Sequence, residues 1–479
     1  MKNCRRNQLG INAFLSVVKQ LASVVFPLIT FPYITKVLGV EGYGKYHFTA
    51  SIISYISLIA GLGISNYAIR EGSRLKDDPD KLGVFINEIL SLNCLALILS
   101  YIILAVIVIY YRNNPSYKIL LLIQGISVFF NVIGCEWLNV IYEDYLFITI
   151  RYIVFQIIAI VLMFIFVKSP DDLYKYALIS QIAPIFGNIS NLVHFCKRWG
   201  IHYKFVLDQH IFSHLKYVLI LFANSLSMLI YVNSDITILG IMRGDTEVGI
   251  YSAAVRIYTI VKQLLNAMML VAVPRMARWT GQKPKNEVSK QLDDLLKIFL
   301  SIMIPAIVGL FCLSRPIILL LSDIEYEAAD KALKVLAVTL FFSTGVSFYS
   351  NLVLLPNNME KQILKATSIS AAMNIILNII LIPRYGFIAA AYTTLLSEAF
   401  TVIFMVIASG DRYFPVAAPQ FLASLISGLL VYICCILVSD LNQNYLLTII
   451  LSITLSIIIW GLFWLFIKTL YRFFIRKRI

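Results

Sequence analysis

The chain has 479 residues, 59% of them hydrophobic and only 14% charged, and its 40 Lys and Arg against 26 Asp and Glu give a net charge of +14. Repeated apolar runs of about 20 residues at this composition specify an all-α polytopic membrane protein and leave no room for a soluble domain. Runs such as 97–110, 153–167 and 449–467 lack the short, turn-punctuated alternation of barrel strands, which excludes an outer-membrane barrel.

In chain order, the punctuation between runs predicts about fourteen transmembrane helices, near residues 11–35, 46–69, 84–110, 118–139, 150–167, 173–195, 216–240, 249–272, 294–313, 332–355, 361–382, 387–408, 419–439 and 445–468. The N-terminus carries Lys2, Arg5 and Arg6 ahead of an apolar segment, but that segment is too long for a signal peptide and holds Lys19 in its interior. It reads as a retained first span. Lys and Arg concentrate in the termini and in the loops on the N-terminal side, so the positive-inside rule places both termini in the cytoplasm. The net charge then has a topological origin, and nucleic acid is not expected as a partner. The basic tail, Arg472, Arg476, Lys477 and Arg478, is placed to meet anionic lipid headgroups.

The seven cysteines show no CxxC or Cys/His ligand spacing, and the histidines cluster mostly in one loop. No metal and no cofactor are expected. No GxxxxGK[ST] loop is present either, so a driving force would come from an ion gradient or from consumption of product on the far side.

An internal repeat is legible. Arg70 closes the second span as Arg275 closes the eighth, and Gly44 and Tyr46 stand to the second as Gly249 and Tyr251 stand to the eighth, at one common offset. Leu38-Gly39 and Leu239-Gly240 precede them, with glycine expected to permit a tight turn. Six spans per repeat preserve orientation in the membrane. The expected architecture is therefore two six-helix lobes, 1–200 and 201–412, related by a pseudo-two-fold along the membrane normal, with two further helices and the basic tail in 413–479.

Polar side chains recur at helical spacing inside the spans. Asn12, Ser16 and Lys19 line the first; Asn224, Tyr231 and Asp235 the seventh; Ser252, Arg256, Thr259, Gln263 and Asn266 the eighth, with Lys262 beside them. Hydrogen-bonded packing between helices explains Ser and Thr in such stripes. Lys and Arg are different, because each costs roughly 2.5–3.5 kcal/mol at the centre of a span and so asks for a water-filled cavity or an anionic partner. No acidic residue lies within one turn of Lys19, Arg256 or Lys262 along the sequence. Among the acids, Glu136 and Arg151 read as a structural pair across a short turn. Glu88 and Glu398 have no obvious neighbour and are candidate ion-coupling sites through desolvation.

The stretch from Phe26-Pro27-Leu28 through Pro32-Tyr33, Leu38-Gly39 and Gly42-Tyr43-Gly44-Lys45-Tyr46 resembles the N-terminal signature of bacterial polysaccharide repeat-unit flippases, the Wzx-type O-antigen transporters. A second segment, from Asp235 through Gly249-Ile250-Tyr251 to Arg256-Ile257, resembles the start of the second bundle in the same family. The resemblance implies the fold of the multidrug/oligosaccharidyl-lipid/polysaccharide exporter superfamily and a non-enzymatic activity. It also implies a bacterial inner-membrane location and translocation of an undecaprenyl-diphosphate-linked oligosaccharide to the periplasmic leaflet. On that expectation Lys19, Arg256 and Lys262 hold the diphosphate, Arg70, Arg275 and Arg278 attract it at the cytoplasmic rim, and Tyr231, Tyr251 and Tyr258 stack on sugars. Partners beyond the lipid-linked substrate and membrane lipid would be the glycan polymerase and chain-length regulator of the same pathway. A peptidoglycan-precursor flippase, a cation-coupled drug exporter and a membrane glycan polymerase are the alternatives. The drug exporter would call for buried acids, and the polymerase for a larger extracytoplasmic loop than 314–331.

Overall fold

The computed structural model describes residues 2–199, 204–206, 210–270, 272–410, 418–441 and 444–476; Lys477 and Arg478 of the basic tail lie outside them. Among the described residues every regular element is a helix. That is the form in which an apolar run satisfies its own backbone in hydrocarbon.

The chain divides into two compact units, Met1–Gly249 and Ile250–Ile479. The first holds α1 (Lys2–Gly61), α2 (Ile64–Leu75), α3 (Pro79–Tyr110), α4 (Pro115–Ile133), α5 (Glu136–Ile141), α6 (Tyr145–Phe166), α7 (Leu173–Ser180), α8 (Ile182–Trp199), α9 (His210–Met242) and the first turn of α10 (Asp245–Leu270). The second holds the rest of α10, then α11 (Val273–Gln282), α12 (Lys285–Cys312), α13 (Ser314–Leu321), α14 (Ala329–Phe348), α15 (Glu360–Tyr385), α16 (Phe387–Ser409), α17 (Ala418–Leu441) and α18 (Tyr445–Arg476).

Among the described residues, eleven helices are long and apolar enough to cross a membrane, or twelve if the bent pair α10 and α11 is one span. Counted as twelve, the spans differ from the expected fourteen at two places. The stretch Phe14–Leu75 counts once but covers the spans expected at 11–35 and 46–69. A straight helix of 60 residues would measure about 90 Å, three times the hydrocarbon thickness. The backbone breaks inside it at Gly39, with φ 66° and ψ 177°, a conformation that glycine adopts without strain. The span expected at 173–195 is divided at Gln181 into α7 and α8, and α8 carries Lys197 and Arg198 in its last turn.

Helix starts follow local chemistry. Asp78 and Asn114 each stand before a proline and accept the backbone N–H of Lys81 and Tyr117, at 3.2 and 3.3 Å, so α3 and α4 begin with a side-chain cap and a proline in the first turn. In the connection before α7, Asp172 accepts from the Lys168 and Ser169 backbone and from Lys175. The Lys175 ammonium, reinforced by those N–H groups, holds the Asp172 carboxyl well below the usual range.

In the first unit α1 packs on α3, α4, α6 and α9. One core gathers Ile64, Phe85, Ile89, Trp137, Leu138 and Ile141. The second unit is built on Met269, Phe299, Met303, Phe348, Leu352 and Met405. Hydrocarbon outside a bundle gives apolar side chains little reason to associate, so polar bonds carry more of the specificity. Asn188 donates to Asn131 at 2.8 Å and Asn139 to Asn191 at 2.9 Å, which ties α4, α5 and α8 together. Between them α5 is a six-residue helix bracketed by non-glycine residues in the left-handed region, Cys135 at φ 40° and Glu143 at φ 60°. Each stores of order 1 kcal/mol of strain.

Gly44 and Gly249 serve close approach rather than a turn. A Cβ on Gly44 would fall on the Asp245 carbonyl, and one on Gly249 would fall on the Val40 carbonyl. Tyr117 Oη holds Asp245 beside this contact at 2.6 Å. Gly249→Ala is therefore expected to destabilise the protein by about 1–3 kcal/mol, since the collision is with backbone that cannot rotate away. A lowered melting temperature in detergent checks this, with Gly83→Ala, where a Cβ meets nothing within 4 Å, as the control that melts no earlier than the native chain.

Candidate functional site

In the first unit three charged side chains from three helices converge. Lys19 of α1 donates to Glu136 Oε1 at 2.6 Å, and Arg151 of α6 donates through Nη2 to Glu136 Oε2 at 2.8 Å. Glu136 opens α5, immediately after the left-handed Cys135, so the break between α4 and α5 presents it to both cations. Thr149 of α6 donates to the Leu15 carbonyl of α1 at 3.2 Å, and Lys19 lies over the Tyr152 ring at 5.8 Å, so α1 and α6 are held in register. The expected Glu136–Arg151 pair is present. Lys19, expected without an acid, has one; 117 residues separate it from Glu136 and no local pattern signals the contact. Arg151 is only 8% exposed, and sequence reasoning did not place it among the buried cations.

In the second unit Lys262 of α10 donates to Glu398 Oε1 of α16 at 3.0 Å and lies over the Tyr258 ring at 5.6 Å. Glu398 is 2% exposed, so a residue read as a lone carboxylate is instead a buried counter-ion. Arg256, on the same helix and half-buried, makes no hydrogen bond or ion pair among the described residues. Ser252 is buried and half-buried Asn266 keeps its Oδ1 enclosed, and neither buried oxygen has a partner among the described residues. Thr259 is half-buried and Gln263 exposed. Tyr251 is 1% exposed with Oη 3.3 Å from Thr394, which makes it a packing residue rather than a platform for a sugar.

The remaining expected site residues are dispersed. Ser16 donates to the Asn12 carbonyl of its own helix at 2.9 Å. Along α9, Asn224 is exposed, Tyr231 half-buried and Asp235 buried. The same helix bonds to α1 through Asn233 to Ser54 at 3.1 Å and Thr237 to Ser51 at 2.9 Å, so part of its polar face joins helices. Glu88 of α3, also expected to be alone, accepts from or shares a proton with His214 Nε2 at 3.0 Å, whose Nδ1 lies 2.7 Å from Tyr67 Oη. The partners of His214 come from α2 and α3, far away in sequence from α9.

Arg70 and Arg275 occupy matching places in the two units. Each lies on a short helix that follows a break, α2 and α11, and each rests on an aromatic ring: Arg70 over Tyr67 at 5.8 Å, Arg275 over Trp279 at 4.4 Å. Arg70 also bonds to Glu71 at 2.9 Å, and exposed Arg278 bonds to the Pro274 carbonyl. Chemically, the Lys19 and Arg256 regions offer cationic donors in excess of their acids, a setting that favours an anion over a cation. Among the described residues no cluster of His, Cys, Asp and Glu fits a metal ion.

Residues 9–280 match the polysaccharide biosynthesis protein family, and residues 220–383 match the MatE family. A putative O-antigen transporter of Escherichia coli (strain K12) is 22% identical over 84% of this chain and 97% of its own length. A probable low-salt glycan biosynthesis flippase of Haloferax volcanii is 27% identical over 41% of this chain and 40% of its own. Among solved structures, the lipid II flippase MurJ in an inward closed conformation aligns with a TM-score of 0.76 at 19% identity, covering 97% of this chain and 100% of that one. A MATE family multidrug transporter in an inward-facing conformation aligns with a TM-score of 0.55 at 13% identity, covering 82% and 98%. These similarities are to transporters and flippases, as the expected non-enzymatic activity requires. Since the first family match spans more than half of the sequence and the fold is that of the exporter superfamily, the chain belongs to the polysaccharide biosynthesis protein family as a Wzx-type, multi-pass membrane member.

Proposed function

We propose that the protein is a flippase for lipid-linked glycan repeat units, and that its substrate is an oligosaccharide carried on undecaprenyl diphosphate. It would move from the cytoplasmic to the periplasmic leaflet of a bacterial inner membrane by alternating access. The observation that carries the substrate chemistry is Arg256, a half-buried cation on α10 that no acid neutralises among the described residues. A diphosphate crossing hydrocarbon needs charge-assisted donors to replace its hydration, and Arg supplies them in a planar fork. Lys19 and Lys262 would join it once their carboxylate partners yield, while Arg70, Arg275 and Arg278 would gather the headgroup at the cytoplasmic rim. The polar set Asn12, Ser16, Asn224, Tyr231, Asp235, Ser252, Thr259, Gln263 and Asn266 would meet the sugars. The family match to polysaccharide biosynthesis supports this substrate over a peptidoglycan precursor. A surplus of cations over acids supports it over a cationic drug.

The lobes would be 1–200 and 201–412, with 413–479 appended, and both termini cytoplasmic. Transport would couple to an ion through Glu398 or Glu88. Protonating Glu398 would release Lys262, which links a proton to the availability of an anion-binding cation. The glycan polymerase and chain-length regulator of the pathway would act on the delivered product.

Arg256→Ala leaves no orphaned partner, so it is the cleaner variant. It is expected to cut surface glycan at least about ten-fold in a complementation assay at unchanged membrane abundance, and wild-type glycan would remove the anion-binding role of α10. Lys262→Ala should instead lower abundance as well, because it strands buried Glu398 at a cost of about 3–5 kcal/mol.

For coupling, Glu398→Gln in vesicles carrying a pH gradient is expected to abolish gradient dependence of translocation while substrate still binds. Unaltered gradient dependence rules Glu398 out. For topology, reporter fusions after Lys76, Trp199, Gln282 and Ile479 should read cytoplasmic, and those after Asn113 and Asp323 periplasmic; a periplasmic Ile479 contradicts the even span number.

A further inference from the structure

The cluster of Lys19, Arg151 and Glu136 holds more positive charge than its one carboxylate balances, and it leaves a donor unused. Arg151 is 8% exposed and its Nε is buried without a partner among the described residues, although Nη2 of the same guanidinium binds Glu136 at 2.8 Å. A guanidinium presents its donors as a fork, and a ligand with more oxygens than one carboxylate oxygen would use the vacant tine. The guanidinium also lies close against α8, where a Cβ on Gly187 would come within 2.9 Å of Nη1. Glu136, by contrast, has a side chain 41% exposed, and that of Lys19 is 33% exposed. The carboxylate is clamped by both cations yet is not closed over by the rest of the protein.

We infer that Glu136 is a resident stand-in for the substrate's anion, occupying the seat between Lys19 and Arg151 that an arriving diphosphate takes from it. The inference rests on the diphosphate-linked substrate proposed above and adds Arg151 and Glu136 to its recognition. Carboxylate and phosphate offer the same paired oxygens to a guanidinium, so one replaces the other without moving the cations. A diphosphate carries enough charge to neutralise both Lys19 and Arg151, which a single carboxylate does not. The displaced Glu136 can be hydrated where it stands. Between substrates it returns, and the cations are never left bare in an apolar surrounding. Glu136 thus sets the affinity of the site by competing for it.

The measurement is the affinity of the purified full-length protein in lipid nanodiscs for undecaprenyl diphosphate and, separately, for inorganic pyrophosphate. Glu136→Gln removes the competitor and is expected to tighten both about ten-fold. Glu136→Asp keeps the charge but is too short to span both cations, so it should tighten both by less, and it decides the matter if the Gln variant does not fold. Unchanged or weakened binding in the folded variants overturns the inference and makes Glu136 a structural counter-ion. Tightening for pyrophosphate without tightening for undecaprenyl diphosphate upholds the anion seat and defeats the lipid-linked substrate instead. Failure of the seat alone leaves the expected loss of surface glycan in Arg256→Ala untouched.

Discussion

An ionised side chain in hydrocarbon must find a counter-charge, water or a ligand, and the interior of this protein is arranged around that requirement. In the first unit Glu136 answers two cations at once; in the second Glu398 answers Lys262. Such pairs are weak contributors to stability, because desolvation offsets most of their attraction. Their value lies in specificity. They fix which face of α1, α6, α10 and α16 turns inward.

The same requirement governs the uncharged polar groups. Where lipid surrounds a bundle, burial of Leu against Leu gains little over Leu against acyl chain, so helix partners are chosen by what they can bond. The amides of Asn131, Asn139, Asn188 and Asn191 join α4, α5 and α8, and Ser51 and Ser54 receive Thr237 and Asn233 from α9. Ser252 and Asn266 differ from these in that their buried oxygens have no hydrogen-bond partner among the described residues.

Much of this was legible in the sequence, and the boundary of legibility has a physical cause. Apolar runs and the glycine at Gly39 are local signals, and the helices follow them. The expected pair of Glu136 with Arg151 spans one short turn and is present. Pairings across the bundle were not legible: Lys19 with Glu136, Lys262 with Glu398, and Glu88 with His214 each join helices whose mutual rotation no periodicity states. Four residues thereby read as solitary charges proved to be halves of pairs. Gly44 and Gly249 were visible as a repeat but their close approach was not, since nothing in one strand of sequence reveals what presses against a glycine.

That glycine contact has a bearing on how the first unit responds to water. Where α1 meets the first turn of α10, carbonyls sit in the places two side chains would fill, so at those two points peptide groups meet in place of side chains. An equal area of Leu would resist wetting by about 25 cal/mol for each Å² exposed, whereas peptide groups are solvated readily. Dispersion across a close fit holds such a seam shut, and a gap of half an ångström already forfeits a good part of it. The join is therefore dry while it fits and offers little resistance to water once it does not.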